Sequence, residues 1–79
     1  MNNEVYILIN TIDKVKEFVK DAESFSCDID VVRGRYIVDA RSILGILSMD
    51  LIKPLMVKIH SDDNQEIMRF LSTMSKYIY

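Results

Sequence analysis

Two stretches of this 79-residue chain repeat their apolar residues at helical spacing, and the segments between them switch to a period of two. Ile12, Val15, Phe18, Val19, Ala22 and Phe25 fall on one side of a helix, with Asp13, Lys14, Lys16, Glu17, Lys20, Asp21 and Glu23 around the rest. Ile67, Phe70, Leu71, Met74, Tyr77 and Ile78 form a second stripe near the end. A helix with one apolar stripe must bury it, and the intervening segments read as the strands that receive it. Val5 to Ile9 is rich in β-formers. Cys27, Ile29 and Val31 alternate with Asp28 and Asp30. Tyr36 to Ala40 resumes a strand after an Arg33-Gly34-Arg35 turn, and Leu55, Val57 and Ile59 alternate with Met56, Lys58 and His60.

Capping residues set the ends of these elements. Asn10-Thr11 is expected to open the first helix, with Asp13 in capping-box-like spacing from Asn10, and Asp63 with Glu66 to open the last. Ser42 is expected to cap a short helix bearing Ile43, Leu44, Ile46 and Leu47, in which Gly45 lowers intrinsic stability by about 1 kcal/mol against alanine. Pro54 closes the connection to the next strand. Periodicity thus gives strand, helix, strand, strand, short helix, strand, helix, and implies one antiparallel or mixed sheet covered by helices on one face.

Composition then narrows the class of function. A formal charge of −2 offers no concentrated basic face, so neither nucleic acid nor an anionic membrane is an expected partner. Cys27 is the one cysteine, which rules out an internal disulfide and fits a reducing, cytoplasmic setting. No secretory leader is recognisable at the start, and no apolar run approaches the roughly 20 residues that cross a bilayer. His60 lies in no Cys/His/carboxylate spacing for a metal, and no cofactor is expected.

The segment Val38-Asp39-Ala40-Arg41-Ser42-Ile43-Leu44-Gly45-Ile46-Leu47-Ser48-Met49 resembles the regulatory-serine motif of HPr, the phosphocarrier of the bacterial sugar phosphotransferase system. In that family a strand ends in a basic residue followed by Ser-Ile-Met-Gly-Val-Met-Ser-Leu or a close variant. Phe25-Ser26-Cys27-Asp28-Ile29-Asp30-Val31 is similar to the family's aromatic residue and second strand. The resemblance implies an α+β open-faced sandwich of order β-α-β-β-α-β-α. Its four-stranded antiparallel sheet would be covered on one face by three helices, in one domain spanning 1–79.

The resemblance fails at the family's active loop. HPr proteins carry Gly-Ile/Leu-His-Ala-Arg-Pro-Ala there, whereas ungapped counting puts Thr11 at the histidine's place, Asp13 at the arginine's and Lys14 at the proline's. A phosphorelay needs an imidazole nucleophile, and threonine would form an ester that does not pass its phosphoryl group on. The resemblance therefore implies a non-carrier member, close in pattern to the catabolite-repression HPr-like proteins, and not an enzyme. Ser42 is the candidate for regulatory phosphorylation by an HPr-type kinase. Arg41, Ile43, Leu44, Leu47, Met49 and Leu51 are candidates for binding a transcriptional regulator or a phosphotransferase-system component. Met49, Leu51 and Met56 are expected to stay outside the core. The alternatives are a carrier using an atypical residue such as His60, or a structural module with no phosphotransfer link. Arg33, Arg35 and Arg41 read either as an anion-recognising group or as a solvated hairpin edge that discourages strand addition.

Overall fold

The computed structural model describes residues 2–79. Four strands, β1 (Glu4–Ile7), β2 (Asp28–Arg33), β3 (Tyr36–Asp39) and β4 (Leu55–His60), form one antiparallel sheet in the order β1-β4-β2-β3. Three helices, α1 (Ile12–Glu23), α2 (Ile43–Leu47) and α3 (Asn64–Met74), lie on one face, and a single 3-10 turn (Ser75–Tyr77) follows α3. The inward residues of β2 and β4 are those that alternation picks out: Ile29, Val31, Leu55, Val57 and Ile59 are all buried. Phe18, Ala22 and Val15 of α1 and Phe70, Ile67 and Met74 of α3 close over them. Edge-to-face aromatic pairs, Phe18 with Tyr77 and Phe25 with Phe70, fill the space between the two helices and the sheet.

Local chemistry accounts for each boundary. Thr11 is the N-cap of α1, and its hydroxyl accepts from the Lys14 amide at 3.1 Å. Asn10 takes no part in that cap, so the expected Asn10/Asp13 box does not form. Asp63 caps α3 through the Gln65 amide, while Glu66 turns away to Arg69 at 3.0 Å, leaving that second box open too. The β2–β3 turn needs only two residues, Gly34-Arg35, because Gly34 adopts a φ of +58° while no other described residue takes a positive φ. That pattern belongs to a type II′ turn, which matches the twist of a hairpin.

Four apolar residues depart from their expected places. Ile12 is 60% exposed: it is the first residue of α1, ahead of the turn where the helix reaches the sheet. Met49 and Leu51, expected outside, pack half-buried against the core, because the chain folds back after α2 with the Met49 amide bonded to the Ile46 carbonyl. Met56 is half-buried as well. On the helix-free face the register aligns Tyr6, Met56, Val32 and Ile37 in one row across all four strands.

Candidate functional site

Two helix N-termini, those of α1 and α2, lie on the covered side of the sheet, and the two helices pack against each other. At the first, Thr11 is exposed and engaged as a cap, with Asp13 in the first turn complementing the helix dipole.

At the second, Ser42 takes an extended conformation (φ −93°, ψ 96°) and its Oγ accepts from the Gly45 amide at 3.1 Å. The serine is exposed. Gly45 is what lets α2 sit so close: a Cβ there would lie 2.9 Å from Ser42 Oγ and 3.2 Å from Val38 Cβ. Behind Ser42, Arg41 folds back onto the end of β3. Its guanidinium bonds Asp39 Oδ1 at 3.1 Å and Asp28 Oδ1 at 3.3 Å, and its amide also donates to Asp39. Those hydrogen bonds, side chain first and backbone second, hold the Asp39 carboxyl below the usual carboxylate range.

The binding candidates around Ser42 divide by exposure. Leu44 is 79% exposed and Leu47 40%, whereas Ile43, Met49 and Leu51 lean on the core. Two residues missed in the sequence, Ile12 and Ile52, are exposed apolar side chains; Ile52 stands out at 78% in the α2–β4 connection. Nothing in the alternation patterns marks an isolated loop isoleucine as exposed, so no sequence signal pointed to it.

The three arginines do not converge. Arg33 lies at the turn end of the hairpin, bonded to the Pro54 carbonyl at 3.1 Å and 3.7 Å from Asp50, whereas Arg41 lies at the opposite end of β3. Arg35 is exposed in the turn and pairs with no carboxylate among the described residues. A depression of about 600 Å³ separates the hairpin tip from the end of α2, lined in part by Arg35, Tyr36 and Met49.

His60 sits apart from both helix N-termini. It ends β4 opposite Asp28 with its side chain on the helix-free face, and its Nε2 lies 2.7 Å from Asp30 Oδ2. The chain's one imidazole is therefore held by the Asp30 carboxylate, while Asp28, its cross-strand partner, is engaged by Arg41. Cys27 is half-buried, and burial raises its thiol pKa, which keeps it protonated and poorly nucleophilic. No cluster of three or more potential metal ligands occurs among the described residues.

A family model described as the PTS HPr component phosphorylation site matches residues 14–78, beginning just after Thr11, Ile12 and Asp13. Among solved structures, the chain is similar to HPr-C-His from Thermoanaerobacter tengcongensis, with 28% identity, a TM-score of 0.72, and 96% of this chain and 92% of that one covered. It shares the fold of the phosphocarrier protein HPr from Bacillus anthracis at 20% identity and a TM-score of 0.69, with 94% and 92% covered. The histidine-containing phosphocarrier protein of Mycoplasma aligns at 16% identity and a TM-score of 0.66, with 92% of each chain covered. No curated protein sequence matches the chain significantly.

Proposed function

The chain belongs to the HPr family, and on that footing we propose that it is a regulatory, protein-binding member that carries no phosphoryl group on a histidine and acts through the Ser42 helix. The family places it among phosphocarrier-type proteins of the phosphotransferase system, whose partners are proteins. The observation that carries the narrower reading is the placement of His60. It lies on the helix-free face with its imidazole against the Asp30 carboxylate, across the sheet from the α1 terminus where Thr11 stands. Carboxylates repel an incoming phosphoryl donor, so this imidazole is poorly sited for relay.

Ser42 has the opposite character. Its hydroxyl is exposed at the start of a helix, where the free amides of the first turn favour an anion. Transfer of a γ-phosphoryl group from a nucleoside triphosphate to Oγ, with loss of the hydroxyl proton, would put a dianion beside exposed Leu44 and Leu47. A partner reading phosphate and apolar surface together, such as a transcriptional regulator, fits that combination. As a single HPr-like domain in the cytoplasm, the protein would meet both its kinase and its partner there.

Two incubations test the reading. With an HPr-type kinase and ATP, intact mass should rise by one phosphate that peptide mapping assigns to Ser42. With the first enzyme of the phosphotransferase system and phosphoenolpyruvate, mass should stay unchanged. Absence of Ser42 phosphate in the first removes the regulatory role, and phosphate on His60 in the second restores a carrier.

A further inference from the structure

The chain treats the two edges of its sheet differently. On the β1 side the C-terminal segment runs alongside: the Leu8 amide donates to the Tyr77 carbonyl at 2.8 Å, the Tyr79 amide donates to the Tyr6 carbonyl at 3.3 Å, and Ile7 pairs with Ile78. On the β3 side nothing among the described residues covers the edge. The usual protections are missing as well, since Tyr36-Ile37-Val38-Asp39 holds no lysine, proline or bulge. Arg33 and Arg41, which flank the hairpin in sequence, are turned to Pro54, Asp50, Asp39 and Asp28.

The outward groups of that edge follow from the ladder. The Ala40 amide donates to the Ile29 carbonyl, so in an alternating antiparallel ladder Val38 and Tyr36 also face β2. Facing outward are the Ile37 amide and carbonyl, the Asp39 amide and the Arg35 carbonyl. The Asp39 carbonyl is already taken by the Ser42 amide at 2.9 Å.

We propose that this edge pairs antiparallel with the same edge of a second copy, centred on Ile37. The register is self-complementary in each respect that the sequence allows. Ile37 faces Ile37 of the second copy and exchanges two backbone hydrogen bonds with it. Each Asp39 amide donates to the Arg35 carbonyl opposite, which adds two more. Arg35 comes opposite Asp39, where Asp28 and Asp39 share the single guanidinium of Arg41 and leave one negative charge over. Registers centred on Tyr36 or Val38 pair neither charge with its opposite. Tyr36, 74% exposed, covers Val38 of the second copy on the helix side. On the other side, the row Tyr6, Met56, Val32 and Ile37 continues without a break into the same four residues of the partner sheet. The contact is isologous, as a two-fold dimer requires.

Four backbone bonds and so small an area make a weak dimer, with a dissociation constant on the order of 0.1 to 1 mM. Sedimentation and amide spectra, recorded on dilution from about 1 mM, test it. The expected result is a concentration-dependent mass, with shifts confined to residues 35–39 and their row neighbours. Ile37→Lys sets two ammonium groups face to face, and Arg35→Glu sets carboxylate against carboxylate; each should weaken association tenfold or more. Arg35 pairs with no carboxylate among the described residues, so its variant stays informative even if Ile37→Lys impairs folding. A mass that stays monomeric at about 1 mM overturns the proposal. So does association that Arg35→Glu leaves intact, or shifts centred on β1 and the C-terminal segment.

Discussion

Tyr77 shows how much one side chain can hold in a chain this short. Its ring is buried edge-on against Phe18, and its hydroxyl donates to Asp21 Oδ2 at 2.5 Å. The same carboxylate receives Lys76 Nζ at 2.9 Å, and Glu17 receives it at 3.1 Å, so two neighbouring residues tie the C-terminal segment to α1. Burial of the phenol, and then its hydrogen bond to a carboxylate, push the Tyr77 pKa far above the tyrosine value of 10.0. A proton held more tightly in the folded than in the unfolded chain contributes stability that is complete below the unfolded value. That contribution is lost as pH climbs above it. We therefore expect stability to fall as pH rises past about 10, and to fall less steeply in Tyr77→Phe, which keeps the ring but has no proton to lose. Tyrosinate absorbance of the native protein should be the same in wild type and variant until unfolding begins. A native-state difference near pH 10 would show Tyr77 titrating freely and contradict the account.

At the level of elements, α2 owes its place to a residue that looks unfavourable in one dimension. Gly45 weakens a five-residue helix intrinsically, yet a methyl group there would be crowded by Ser42 Oγ and Val38. Gly45→Ala should gain up to about 1 kcal/mol of helix propensity. Against that, the new Cβ forces Ser42 Oγ from its cap, a loss of about 1 kcal/mol, and crowds Val38, which the β2 ladder holds in register, at about 1 to 3 kcal/mol. The net expectation is a loss of about 1 to 3 kcal/mol, read as a lower urea midpoint with an unchanged slope; a higher midpoint would reverse the argument. This is also where the sequence was least legible. Helical and alternating periods are local properties, and they located every helix and strand to within a few residues. The Gly45–Val38 approach and the return of Met49 and Leu51 to the core depend on how α2 docks onto β3, which no local period encodes. Ser42 could be read as a cap from its neighbours alone, whereas the exposure of Leu44 beside it required the docked helix.

For the whole molecule, the order β1-β4-β2-β3 leaves β1 at an edge, and residues 77–79 close that edge. The fold is thus closed where residues 77–79 meet β1, since that segment bonds to Tyr6 and Leu8 while Tyr77 packs against Phe18 of α1. Removing residues 76–79 takes away that buried aromatic and its ion-pair neighbour, and should cost about 3 to 5 kcal/mol. For a domain whose total stability lies in the range of about 5 to 15 kcal/mol, that is enough to leave much of the population unfolded at modest temperature. Removing only residues 78 and 79 should cost far less, because Ile78 and Tyr79 are 54% and 77% exposed and Tyr77 stays in place. It uncovers the outer groups of β1, however, and a second bare edge next to the apolar row invites open-ended strand addition. Thermal melts should therefore rank the full chain slightly above the two-residue truncation and far above the four-residue one. Light scattering should rise on heating soonest for the two-residue truncation, which stays folded but exposes both edges. Equal melting of the two truncations would mean that Tyr77 contributes nothing beyond edge cover, and would refute this view of how the fold is closed.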